Sequence, residues 1–243
     1  MHYGPLCAAA QTHFGAGALG GRLILVDGLA AEGDALLLGA SIAGAASLVL
    51  ERDPGAVRYA VRNGIVDFAV TTLDEALRIL KNEVRKQQPI AVLLEHCPKE
   101  AVAGMVERGA QPDMMRWAEQ SAEAETLRER GARLVPDPAV TPTWSGADRM
   151  AWRGGDGGSA ALRQADLLAS HVLPEQDAER QNWIARAPRY LHRALRLERC
   201  VTMSEAEATA FLAALEERAH QNALAAPIEV EWRGQMQRFA SAA

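Results

Sequence analysis

The stretch between Gly21 and Glu51 constrains this chain more than any other. Residues 23–26 are an apolar run between Gly21-Arg22 and Asp27-Gly28, which predicts a buried parallel strand. Asp34 can cap the segment that follows, where Ala35, Leu36, Leu38, Ile42, Ala43 and Ala46 form one apolar helical face. Residues 47–50 predict a second buried strand, closed by Glu51, 23 positions after Gly28. Strand, small-residue turn, helix, strand and acid together make the βαβ unit of a dinucleotide-binding sheet. The turn itself, Gly28-Leu-Ala-Ala-Glu-Gly33, has two glycines where a phosphate-binding turn wants three. Its Glu32 puts a negative charge where a pyrophosphate would lie.

The alternation continues. Asp53-Pro54 opens a helix that Asn63-Gly64 stops, and residues 65–70 read as a third strand. Thr72-Leu-Asp-Glu75 is a capping box for a helix to about residue 86. Residues 89–95 are a fourth strand, and 98–108 a further helix closed by Gly109. Residues 113–130 read as helical and 132–135 as a possible fifth strand. Residues 136–158, rich in proline and glycine, read as a loop. Beyond them lie helices at 159–172, 175–199 and 204–222, a late strand at 228–232, and a frayed tail. The expected fold is therefore α/β, a Rossmann-like doubly wound parallel sheet with a helical C-terminal appendage. The expected organisation is a Rossmann-like domain over 1–135, a linker over 136–158 and a helical part over 159–243.

A net charge of -5 and a pI near 5.7 argue against a nucleic-acid footprint. Arg189, Arg193, Arg196 and Arg199 are interleaved with Glu and Ala on one expected helix, as on a solvated or interface face. Cys7, Cys97 and Cys200 are odd in number and widely spaced, the pattern of a reducing compartment. With no signal peptide and no long uncharged apolar window, the expectation is a soluble cytoplasmic protein without membrane contact.

Several residues are candidates for a site. Glu51, at the carboxyl end of the second strand, suits two ribose hydroxyls, or is a surface acid at a loop start. Gly28 and Gly33 suit a phosphate turn, or serve a positive φ and close helix packing. His96 and Cys97 fall at the carboxyl end of the fourth strand, where parallel sheets line their crevices. Adjacent residues diverge in direction and no third ligand is near, so no metal is expected. Asp67 reads as a turn or cap, and Trp144, Trp152 and Trp183 as core.

Laid out in order, the chain resembles urocanase (urocanate hydratase), which uses tightly bound NAD as an electrophile. The residues that carry the resemblance include His13-Phe-Gly, Gly21-Arg, Gly28-Leu, Ala43-Gly44, Glu51, Ile65-Val-Asp67, Leu73-Asp-Glu-Ala-Leu77, Arg108-Gly109 and Pro112-Asp-Met114. A weaker match runs from Met150 to Cys200 through Trp152, Gly157, Asp166, Pro174, Trp183 and Ala187. The resemblance implies the family's NAD-binding sub-domain followed by a fragment of its core domain, and it implies that Glu51 holds the adenosine ribose. It also places Cys200 where the family's active-site cysteine would be, with Arg196, Arg199 and a helix starting near Ser204 available to lower the thiol pKa.

The departures are specific. Ala30, Ala31, Glu32 and Asp34 replace the family's glycine-rich turn, Ala56 stands for an Arg, and Cys97-Pro98 for Asn-Ala. Trp117-Ala-Glu-Gln-Ser-Ala122 replaces a His-bearing segment. The expectation is a shortened, divergent urocanase-like protein without hydratase activity, binding a nucleotide or small metabolite at the strand ends. The alternatives are an active NAD-dependent hydratase whose site a homo-oligomer partner completes, and a non-enzymatic dimerisation protein.

Overall fold

The computed structural model describes residues 2–29, 33–117, 122–137, 148–155, 159–191 and 198–241. The chain divides into two compact units, 1–140 and 141–243.

The first unit opens with α1 (Tyr3–Phe14), then alternates β1 (Leu23–Asp27), α2 (Gly33–Ala43), β2 (Ala46–Glu51), α3 (Pro54–Arg62), β3 (Phe68–Val70), α4 (Leu73–Arg85), β4 (Ile90–Glu95) and α5 (Pro98–Glu107). It closes with β5 (Met114–Arg116), α6 (Ala122–Glu129) and β6 (Arg133–Leu134). All six strands run parallel in the order β3-β4-β2-β1-β5-β6, as the alternating pattern predicts. Strand alternation splits the core. Leu25, Leu48, Leu50, Leu94 and Met115 pack with Leu80, Val102, Met105 and Leu127 of the helices on one face. Each such leucine contributes about 2 kcal/mol by leaving water.

The helix starts follow from local chemistry. Asp53 accepts from the N–H groups of Gly55 and Ala56, with Pro54 in the first turn of α3. Thr72 accepts from Glu75 N–H at the head of α4. Asp67 is not a helix cap: its carboxylate accepts from Ala91 N–H at 2.9 Å, while its own N–H donates to Ala91 carbonyl, extending the β3–β4 edge.

Residues 113–116 are a strand, not the start of a helix. Asp113 accepts from Leu23 N–H and Arg22 Nη1, both at 2.9 Å, which pins the chain beside β1. Met114 and Met115 then pair with Ile24 and Leu25. A three-residue strand is too short for a period-two pattern to show.

The second unit contains β7 (Arg149–Gly154), α7 (Ser159–Val172), α8 (Ala178–Tyr190), β8 (Glu198–Thr202), α9 (Glu205–His220), β9 (Ile228–Trp232) and β10 (Gln235–Phe239). Helices follow the parallel sheet as expected. With them comes an antiparallel sheet, order β10-β9-β7-β8, only one strand of which, β9, the sequence announces. β7 lies in the stretch read as loop. β8 falls on the end of an expected long helix, which instead stops at Tyr190, with Pro188 inside its last turn; a proline there offers no N–H to the helix ladder. β10 lies in the expected frayed tail and returns through Arg233-Gly234, both at positive φ (49° and 76°), a type I′ hairpin turn.

Trp152 and Trp183 are core, as expected, while Trp144 lies outside the described residues. Trp152 stacks on Phe211 at 5.2 Å and its Nε1 donates to Asp166, which also receives Arg199. The arginine face does not form as read: Arg199 is on β8, Arg189 is exposed on α8, and Arg193 and Arg196 lie outside the described residues. Ser204 and Glu207 close both bonds of the capping box of α9.

Two substitutions test this packing. Arg180 donates to Asp177 and, through two nitrogens, to Glu207, and holds the Glu207 carboxyl below the usual carboxylate range. Arg180→Ala is expected to cost about 2–3 kcal/mol in urea unfolding. Because the native pKa of Glu207 is depressed, this contribution is full above the ordinary carboxyl pKa and fades as pH falls through the native value. Gly33→Ala would put a Cβ 2.9 Å from the Gly28 carbonyl oxygen and is expected to cost about 1–3 kcal/mol, read the same way.

Candidate functional site

In an open parallel sheet, ligands lie beyond the carboxyl ends of the strands where the strand order reverses. Here the chain leaves β1 for β2 on one side and returns to β5 on the other. The switch point is therefore the edge between β1 and β5, formed by Gly28, Leu29, Arg116 and Trp117, with the head of α2 above it.

The structure brings Gly28, Gly33 and Glu51 together. Gly28 has φ +89°, a conformation that side chains resist. Gly33 begins α2 so close to the Gly28 carbonyl that a Cβ there would clash. Their spacing of five positions matches the first and third glycines of the G-x-G-x-x-G turn, whose roles are the tight turn and the close helix. The middle position, where backbone must approach a pyrophosphate, is Ala30, which with Ala31 and Glu32 lies outside the described residues. Glu51 reaches across from β2: its Oε2 accepts from Leu29 N–H at 3.0 Å, and its Oε1 accepts from the N–H groups of Arg52 and Asp53, both at 2.9 Å. A carboxylate has about four acceptor positions, so Glu51 keeps one for a ligand hydroxyl where a ribose offers two.

His96 and Cys97 belong elsewhere on this edge. They follow β4, which β2 separates from β1, a displacement of about 10 Å at sheet spacing. His96 Nε2 lies 3.5 Å from Glu100 of the helix that follows, and Cys97 is the N-cap of α5 with no side-chain capping bond. No group of three metal-ligating side chains occurs among the described residues.

Cys200 lies on β8 in the second unit. Burial pushes its thiol up, and contact with the Arg149 guanidinium opposes this without prevailing. The thiol is therefore protonated at neutral pH, the less nucleophilic form. The neighbour that could activate it is Arg149, not Arg199, whose guanidinium is spent on Asp166; Arg196 lies outside the described residues. Beside it is a crevice of about 10 Å³, lined by Trp152, Trp183 and Arg199 among others, room for one water at most.

The sequence reading missed three groups at the switch point. Asp34 Oδ1, Arg116 Nη1 and Trp117 Nε1 are buried with no hydrogen-bond partner among the described residues. Such atoms in a native fold ask for an explanation, an unseen ligand among them. Arg116 shares its sheet face with Ile24 and Val26, opposite to Met115 and Trp117. Burial raises the Asp34 carboxyl above its ordinary range. The signal that could have found Arg116 and Trp117 was the strand ending at 116, hidden by its shortness.

A dinucleotide fits this edge only in part. The glycine geometry and Glu51 suit a ribose, but the head of α2, where a pyrophosphate would rest on backbone N–H groups, carries Asp34 with an unpartnered carboxyl oxygen. The residues present do not fit the pyrophosphate.

The Asp34 environment has a measurable sign. A carboxyl whose native pKa is raised contributes full stability below its unfolded pKa, about 3.9, and loses it as pH rises through the native value. Asp34→Asn is therefore expected to unfold at higher urea than the parent protein at pH 7, with the gap closing towards pH 3.5. A gap that widens on acidification would reverse the assignment.

Comparison with protein families matches residues 2–124 to the Urocanase Rossmann-like domain. The match runs from α1 through the switch point and into α6, so it covers the βαβ unit, Glu51, and the Arg116-Trp117 edge. In that family this domain is the one that binds NAD. With half the chain matched, and the parallel sheet and its glycine turn in place, the chain belongs to the urocanase family.

Proposed function

We propose that this protein binds a ribose-bearing small molecule, a nucleoside in size, at the carboxyl edge of its parallel sheet, and that it does not hydrate urocanate. The observation that carries the reading is the combination at one edge of a preserved Gly28–Glu51 corner with buried, unpartnered polar atoms of Asp34, Arg116 and Trp117. The remaining acceptor of Glu51 takes one ribose hydroxyl. The buried donor of Arg116 and the acceptor of Asp34 favour a ligand carrying both acceptor and donor groups, which a nucleobase supplies.

Hydration in this family needs the nicotinamide of NAD held against the substrate and acids placed to move protons. NAD in turn must be anchored by its pyrophosphate. Glu32 and Asp34 add two negative charges to that turn, and each unit charge near a surface phosphate at about 4 Å repels it by about 1–4 kcal/mol. That is enough to lose roughly one to three orders of magnitude in affinity.

Two measurements test the reading. Loss of urocanate absorbance, followed with excess NAD, is expected to stay at the buffer rate; steady turnover overturns the proposal. In calorimetric titrations adenosine is expected to bind at one site per chain, at least tenfold more tightly than NAD. Glu51→Gln, which swaps an acceptor oxygen for a donor amide, is expected to weaken adenosine at least tenfold. An unchanged affinity would remove Glu51 from the site.

A further inference from the structure

One cavity among the described residues lies away from the switch point. It is an open groove of about 810 Å³ at the amino-terminal end of the parallel sheet, between α4 and the segment 108–113 that joins α5 to β5. Its size falls within the range of small-molecule sites. The floor is apolar: Leu23 and Leu80 are buried, and Leu77 and Val84 half-buried.

The rim is cationic in a particular way. Arg78, Lys81 and Arg85 follow one another at spacings of three and four, so they form one stripe along α4. All three are exposed, and none pairs with a carboxylate among the described residues. The other charged groups around the groove are engaged: Arg108 with Asp74, Asp113 with Arg22, and Glu83 with Lys86. Like charges at these spacings disfavour a helix by about 0.2–0.5 kcal/mol per pair. The helix dipole accounts for Arg85 in the last turn, but not for Arg78 in the middle.

We propose that this groove binds a small anionic amphiphile, an aliphatic or aromatic carboxylate whose charged head lies between Arg78, Lys81 and Arg85 and whose apolar body covers the half-buried Leu77 and Val84. The cationic stripe runs from Arg78 to Arg85, seven helical rises or about 10 Å along the helix. That length suits one small ligand. The proposal is independent of the reading of the opposite edge, since the two share no residue.

Calorimetric titration of the full chain with decanoate, decanol and inorganic phosphate tests it. Decanoate is expected to saturate at one per chain below its micelle concentration, with decanol and phosphate each at least tenfold weaker. Arg78→Gln/Lys81→Gln, which changes only exposed side chains, is expected to weaken decanoate at least tenfold, with a thermal midpoint no lower than the parent's and adenosine binding unchanged. Arg78→Glu/Lys81→Glu is expected to abolish it. The proposal is overturned if decanoate does not saturate or if the doubly neutral variant binds it as the parent does. It is likewise overturned if decanol or phosphate equals decanoate, since one half of the site would then suffice.

Discussion

The close approach of α2 to the turn after β1 is the constraint on which the first unit depends. Gly28 can hold φ +89° and Gly33 can lie against the Gly28 carbonyl only because neither has a side chain. That contact seats α2 against β2 and β4, and the seated helix delivers the chain to β2. Glu51 then locks the corner from the far side by accepting the Leu29 N–H. The same atoms that fix the βαβ unit thus fill most of the positions a cofactor ribose would use. Structure and binding compete for one carboxylate.

This competition gives a physical reason for the family scaffold to persist under the ligand proposed here. The two glycines retained are those whose loss would strain the backbone; the one replaced, at position 30, is the one whose role in the fingerprint is the approach of phosphate. Asp34 extends the same logic. In the first turn of α2 an acid is favourable to the helix dipole, yet it opposes an anionic ligand there. Selection for folding alone would keep Gly28 and Gly33 and tolerate Asp34.

Legibility in the sequence followed element length and periodicity. The strands at 23–27, 46–51 and 90–95 were plain because each is a continuous apolar run bounded by turn residues. The strand at 114–116 was not, being three residues long beside a charged helix, and with it went Arg116 and Trp117, half of the switch point. In the second unit β7 is buried at three successive positions, β8 at one and β10 at none, so no period-two pattern marks them and β7 and β8 read as loop and helix. Glu51, Gly28 and Gly33 were legible as a candidate site because they sit at fixed offsets from strand ends. His96 and Cys97 share that kind of offset but follow a strand two places away, and only the order β4-β2-β1 separates them from the turn.

The central claim is that the cradle around Gly28 keeps its shape without a grip on pyrophosphate. Its most direct test is chromatographic analysis of nucleotides released when the purified protein is denatured. The account predicts that NAD is absent, or present at well under one molecule per ten chains. One NAD per chain would contradict it, because a dinucleotide that survives purification must be held by the turn that Ala30, Glu32 and Asp34 are argued to have disarmed.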